Sequence, residues 1–259
     1  MSIRFYLDRI YSATIVVLLT MFMSYDLADL LLRLANPPQN LLQLAGRQLD
    51  TIIVAGAVAS ALAALIAARH SHRSGTDYSI SASRSPLQRS GVQFATVLIP
   101  VALSWLLFSV ISAVHSGLAE KFFSWLTVCV IGVASLAVSV ALGQTVGGLV
   151  RPVLAVPLAF VASYAFSGVF AIFGDDSWAQ WLGTGFGDSL NGNLSQLWSA
   201  GEFVWFCGLT MVLLGISTLR NSLPRRVPVS YGAMTAALLI IGIVLLIVNG
   251  PDASTNDAV

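Results

Sequence analysis

Apolar residues in this chain come in long runs, set apart by short polar segments that carry most of its arginines. A helix that crosses the hydrocarbon core of a bilayer needs about 20 mostly apolar residues. Seven stretches reach that length, at residues 11–32, 51–68, 92–114, 123–142, 153–173, 203–219 and 231–248. The pattern therefore predicts an all-α, polytopic transmembrane helix bundle of about seven spans. The fourth and fifth spans are parted only by residues 143–152, whose Gly143, Gly147 and Pro152 suit a tight turn. Gly143 and Gly147 also match the small-xxx-small pattern of closely packed membrane helices, and both readings stay open.

Three segments lie outside the spans. In residues 1–10, Ile3, Tyr6, Leu7 and Ile10 share one helical face while Arg4 and Asp8 occupy another, which predicts a short interfacial helix. Residues 69–91 form a polar, serine-rich loop, and residues 174–200 a loop that mixes Trp178, Trp181, Phe186 and Trp198 with glycines. The second loop is too long for a plain turn and too aromatic to be simply solvated. It predicts short helices at the outer face of the bundle.

Composition supports the spans. Apolar residues make up 56% of the chain, charged residues 10%, and the mean hydropathy is +0.82. Soluble domains carry about 25% charged residues, so this surface needs lipid to cover it. The position of the charges sets the orientation. With the N-terminus in the cytoplasm, the inner side holds Arg4, Arg9, Arg69, Arg73, Arg84, Arg89, Arg151, Arg220, Arg225 and Arg226. The outer side then holds only Arg33, Arg47 and Lys121, as the positive-inside rule requires. An odd number of spans places the C-terminus outside. Most acids, among them Asp50, Glu120, Asp175, Asp176, Asp188 and Glu202, fall on the outer side.

Candidate chemistry is sparse. Asp26, Asp29 and Arg33 share one face of the first span, either as a self-paired, hydrated helix end or as an outer polar site. His70 and His72 lack a third ligand and sit among arginines, so lipid phosphates explain them better than a metal. Cys129 and Cys207 form no CxxC pair and read as packing residues. Neither GxSxG nor HExxH occurs, and no enzymatic activity, nucleic-acid partner or resident cofactor is expected. A retinal-type pump needs a lysine deep in its last span, whereas the only lysine here is Lys121, in a loop.

The layout resembles the membrane subunits of ATP-binding-cassette exporters of the type V, drug-, antibiotic- and lipid-exporting kind. In that family an interfacial helix precedes the first span, a coupling helix between the second and third spans docks on the ATPase, and small external helices fill the loop between the fifth and sixth. Residues 1–10, 76–89 and 174–200 match these features in turn. The stretch 135–166, centred on Ala-Leu-Gly-Gln-Thr-Val-Gly-Gly-Leu-Val-Arg-Pro, resembles the corresponding turn of actinobacterial permeases, and arginine in place of nearly all lysine fits such a source.

The resemblance implies a six-span core over residues 1–220, with residues 221–259 adding one span and a short outer tail. It implies a multi-pass protein of a bacterial plasma membrane that forms a translocation path with a second membrane subunit, the second and fifth spans at the seam. ATP and Mg would be bound only by a separate cytoplasmic ATPase, since this chain has no Walker A sequence. Asp77, Tyr78, Ser81, Arg84, Leu87 and Gln88 would form the interface with that ATPase. The alternative is a non-transporting accessory or scaffold subunit of a membrane complex.

Overall fold

A computed structural model describes residues 27–28, 31–32, 34–36, 41–72, 86–115, 122–172, 196–221 and 229–248. Six helices account for nearly all of them, and no strand occurs among the described residues. They are α1 (Leu41–His72), α2 (Pro86–His115), α3 (Phe122–Leu149), α4 (Pro152–Ile172), α5 (Gln196–Asn221) and α6 (Val229–Val248). Five of them, all but α4, are long and apolar enough to cross a membrane; α4 carries a shorter apolar stretch, Val153–Ser167. The chain is a membrane-embedded helical protein. The first expected span lies mostly outside the described residues, as do residues 1–10 and nearly all of the outer loop.

The local sequence explains where helices begin and how two of them tolerate proline. Pro86 and Pro152 occupy first helical positions, where the missing N–H would have no intrahelical acceptor. The carbonyl of Arg151 accepts from Leu154 N and Ala155 N, both at 3.0 Å, and so caps α4. Pro100 and Pro157 lie inside α2 and α4. Each removes one backbone bond, a loss that membrane helices accommodate by local adjustment and neighbouring side chains.

The contact registers fix relative direction. Gly56 of α1 meets Ser139 of α3, Ser60 meets Gly143, and Ala64 meets Gly147, so the two helices run parallel. Ser60 donates to the Ala159 carbonyl of α4 at 3.1 Å, while Ser163 approaches Gly56, so α4 is antiparallel to α1. Thr145 meets Leu213, and Ile131, Ala134 and Val138 pack on Phe206, which makes α3 and α5 parallel. Gly201 faces Leu245 and Leu246, Gly208 faces Leu239, and Gly215 faces Tyr231, which makes α6 antiparallel to α5. Successive helices therefore alternate in direction. Arg69, Arg89 and Arg151 all lie at one end of the bundle.

The buried share of each span runs from 83% for Thr51–Arg69 of α1 and 67% for α3 down to 33% for α5 and 17% for α6. α1 is thus the central helix, packed on α3, α4 and α2. Eight of its alanines, Ala55, Ala57, Ala59, Ala61, Ala63, Ala64, Ala67 and Ala68, are buried within this chain. These small residues let the chain's own helices approach. In lipid the apolar effect does not drive helices together, so close van der Waals contact and interhelical hydrogen bonds take that role.

One expectation changes at the α3–α4 joint. The glycine-rich segment 143–152 is not a turn over most of its length: α3 runs on to Leu149, leaving only Val150 and Arg151 between the helices. Gly143 and Gly147 face the backbones of Ser60 and Ala64, so closely that a Cβ on either would overlap a carbonyl of α1. A propensity for turns is outweighed where a neighbouring backbone occupies the Cβ position. Trp105, within α2, packs by the same geometry. It is 2% exposed, its Nε1 donates to Thr51 Oγ1 at 3.2 Å, and its ring fills the space left by Gly132.

Candidate functional site

Polar side chains collect at the arginine-bearing end of the bundle, where α2 begins and α3 and α5 finish. Gln144 Nε2 donates to Ser90 Oγ at 2.8 Å and to the Ser90 carbonyl at 3.0 Å, with Gln93 Oε1 at 3.4 Å. Ser90 Oγ lies 3.0 Å from Ser217 Oγ. Ser217 donates its single proton to the Leu214 carbonyl at 2.8 Å, so Ser90 is the donor of the serine pair. A directed chain results, from the Gln144 amide through Ser90 and Ser217 to the α5 backbone. One turn away, the Thr145 hydroxyl is shared between the carbonyls of Ala141 and Leu213, both at 2.8 Å.

This junction joins three helices through buried polar groups. Ser90, Gln144, Thr145, Ser217 and Thr218 are all buried. Gln144 Oε1 is also buried and has no hydrogen-bond partner among the described residues. Each of these bonds contributes on the order of 0.6 kcal/mol in a membrane bundle. Their value lies in geometry: they tie the first turn of α2 to both α3 and α5.

A second polar feature lies toward the opposite end. Glu202, expected at the outer boundary of a span, sits inside Ala200–Thr218 and is 3% exposed. Its Oε2 has no hydrogen-bond partner among the described residues. The sequence signal that could have found it is an acid abutting an apolar run and followed four residues on by Phe206, which is fully buried against α3.

The residues named from sequence fall as follows. Leu87 is half-buried and Gln88 exposed in the first turn of α2, directly beside the junction. Asp77, Tyr78, Ser81 and Arg84 lie outside the described residues, as do Asp26, Asp29 and Arg33. Gly143 and Gly147 are packed on α1, and Pro152 opens α4. Sequence reading passed over Ser90, Gln144 and Ser217, although a glutamine next to two small residues in an apolar helix was the available cue. Among the described residues no group of three His, Cys, Asp or Glu side chains could hold a metal ion. Cys129 is buried and Cys207 half-buried, and both are free thiols.

No family model, no curated protein and no solved structure matches the chain.

Proposed function

We propose that this chain is the transmembrane subunit of an ATP-driven exporter, working with a separate cytoplasmic ATPase in a bacterial plasma membrane. The observation that supports this reading is the Ser90–Gln144–Ser217 junction. It lies immediately after the loop that carries Asp77, Tyr78, Ser81 and Arg84, and Gln88 is exposed beside it. A partner that pushes on this loop would move α2, α3 and α5 together, as a rigid-body shift.

In this reading the arginine-bearing end faces the cytoplasm, the N-terminus lies inside, and seven spans leave the C-terminus outside. Because α1 is enclosed, a second membrane subunit would meet α4 rather than the second span. The outward face of α4 presents Val153 at 85% exposure together with Leu154, Leu158 and Val161.

The test is affinity purification of the tagged chain from its native membrane. Copurification of an ATPase is expected, and charge reversal at Asp77 or Arg84 weakens it. Recovery without any ATPase, with Asp77→Lys and Arg84→Glu changing nothing, refutes the reading. The close packing of α1 on α3 favours a second reading, a non-transporting accessory subunit, since it leaves no path between the two central helices. Capture of the chain inside a larger membrane complex, with no transport lost on its deletion, would decide for it.

A further inference from the structure

Glu202 lies at a three-helix contact made of apolar groups. Gly201 beside it lies against Leu245 and Leu246 of α6. Phe206, one turn further on, is fully buried against Ile131, Ala134 and Val138 of α3. Among the described residues, the helices packed against α5 place no arginine or lysine at this end. α3 carries no charged residue and only Cys129 as a titratable group, and α6 carries only Tyr231, at its far end beside Gly215. On α2 the titratable groups are Arg89, at the opposite end of the bundle, and His115, exposed at the last residue. On α5 itself the nearest is Cys207.

An ionised carboxylate buried in this way, with no hydrogen-bond partner for Oε2 among the described residues, is costly, and such groups neutralise instead. A metal cation would need several oxygen ligands, and α3 and α6 offer mainly aliphatic side chains here. We propose that Glu202 is a proton-binding site: its side chain is a neutral carboxylic acid while α3, α5 and α6 are closed around it, and it yields the proton to water where water reaches it. The step is a simple transfer between the carboxyl oxygen and a water molecule. Closure of the seam and protonation therefore favour each other, a coupling that is reciprocal by linkage. The inference does not rest on the exporter reading and holds for an accessory subunit equally.

The chain contains only two glutamates, Glu120 and Glu202, which makes isotope labelling diagnostic. Full-length Glu120→Gln protein, made with 13C-glutamate and reconstituted in phosphatidylcholine–phosphatidylglycerol vesicles, has Glu202 as its sole labelled carboxyl. Infrared difference spectra against unlabelled protein should show the carbonyl stretch of a protonated acid at neutral pH, although an exposed glutamate is half-titrated near pH ~4.3. The band should vanish in Glu202→Gln protein, and in the Glu120→Gln protein once urea and detergent have unfolded the bundle. A labelled carboxylate band at neutral pH, with no acid band, overturns the proposal. So does a labelled band that changes when sodium replaces choline, which would mark a metal-cation site. An acid band that survives unfolding also overturns it, because the fold would then not be what holds the proton.

Discussion

Two adjacent glycines of α3 offer a direct test of how the central helices pack. A Cβ on Gly147 would lie 2.7 Å from Ala64 Cα and 2.8 Å from its carbonyl carbon, whereas a Cβ on Gly148 meets nothing within 4 Å. Carbon contacts are optimal at about 3.5–4.0 Å, so Gly147→Ala must part α1 and α3 by roughly 1 Å. The obstacle is backbone, which cannot swing aside as a side chain would. That places the overpacking cost near the upper end of its usual range, about 3 kcal/mol. Replacing a helical glycine by alanine returns about 1 kcal/mol of helix propensity. The net for Gly147→Ala is a loss of about 2 kcal/mol, while Gly148→Ala gains up to about 1 kcal/mol. At roughly 2–4 °C per kcal/mol for a chain of this size, the two variants should differ in Tm by roughly 6–12 °C. Thermal melts of the purified proteins in a mild detergent, followed by circular dichroism, measure this directly. Equal midpoints, or a Gly148 variant less stable than the Gly147 variant, would refute the packing of α3 on α1.

Three further outcomes follow from the same contacts. Gln144→Leu removes the donor that holds Ser90 and should cost about 1 kcal/mol, with faster hydrogen exchange confined to the first turns of α2; unchanged exchange there would mean that the junction does not anchor α2. Tyr231→Phe removes a 2.6 Å bond to the Met211 carbonyl and should lower stability by about 1 kcal/mol, loosening α6 from α5 without disturbing α1 or α3, as site-specific exchange would show. Gly132→Ala places a carbon against the far edge of the Trp105 ring, which phenylalanine lacks. The Gly132→Ala/Trp105→Phe double variant should therefore lose at least about 0.5 kcal/mol less in thermal melts than the sum of the single changes.

The long apolar helices were legible in the residues themselves, and the centre of the bundle was not. Bilayer thickness acts along one dimension, so the length of an apolar run reports it directly, and lipid forces the backbone to satisfy its own hydrogen bonds as helix. That is why the expected runs at 51–68 and 231–248 coincide closely with the apolar stretches Thr51–Arg69 of α1 and Ser230–Val248 of α6, and the run at 92–114 falls within α2. Two boundaries failed for a related reason. Gly143 and Gly147 carry a turn signal and a packing signal in identical letters, and only the backbone of α1 beside them selects the second. Glu202 lay one residue outside an expected span, and only the flanking α3 and α6 turn that position into an enclosed one. The glycines at 201, 208 and 215 stand seven residues apart in plain view, yet their meaning depends on α6 lying against them. A soluble helix advertises its inner face by contrast with a polar outer one. Here lipid-facing and core-facing positions are both apolar, so the sequence determined that the helices are long and apolar enough to cross a membrane, and the tertiary structure alone decided which of them, α1, stands in the middle.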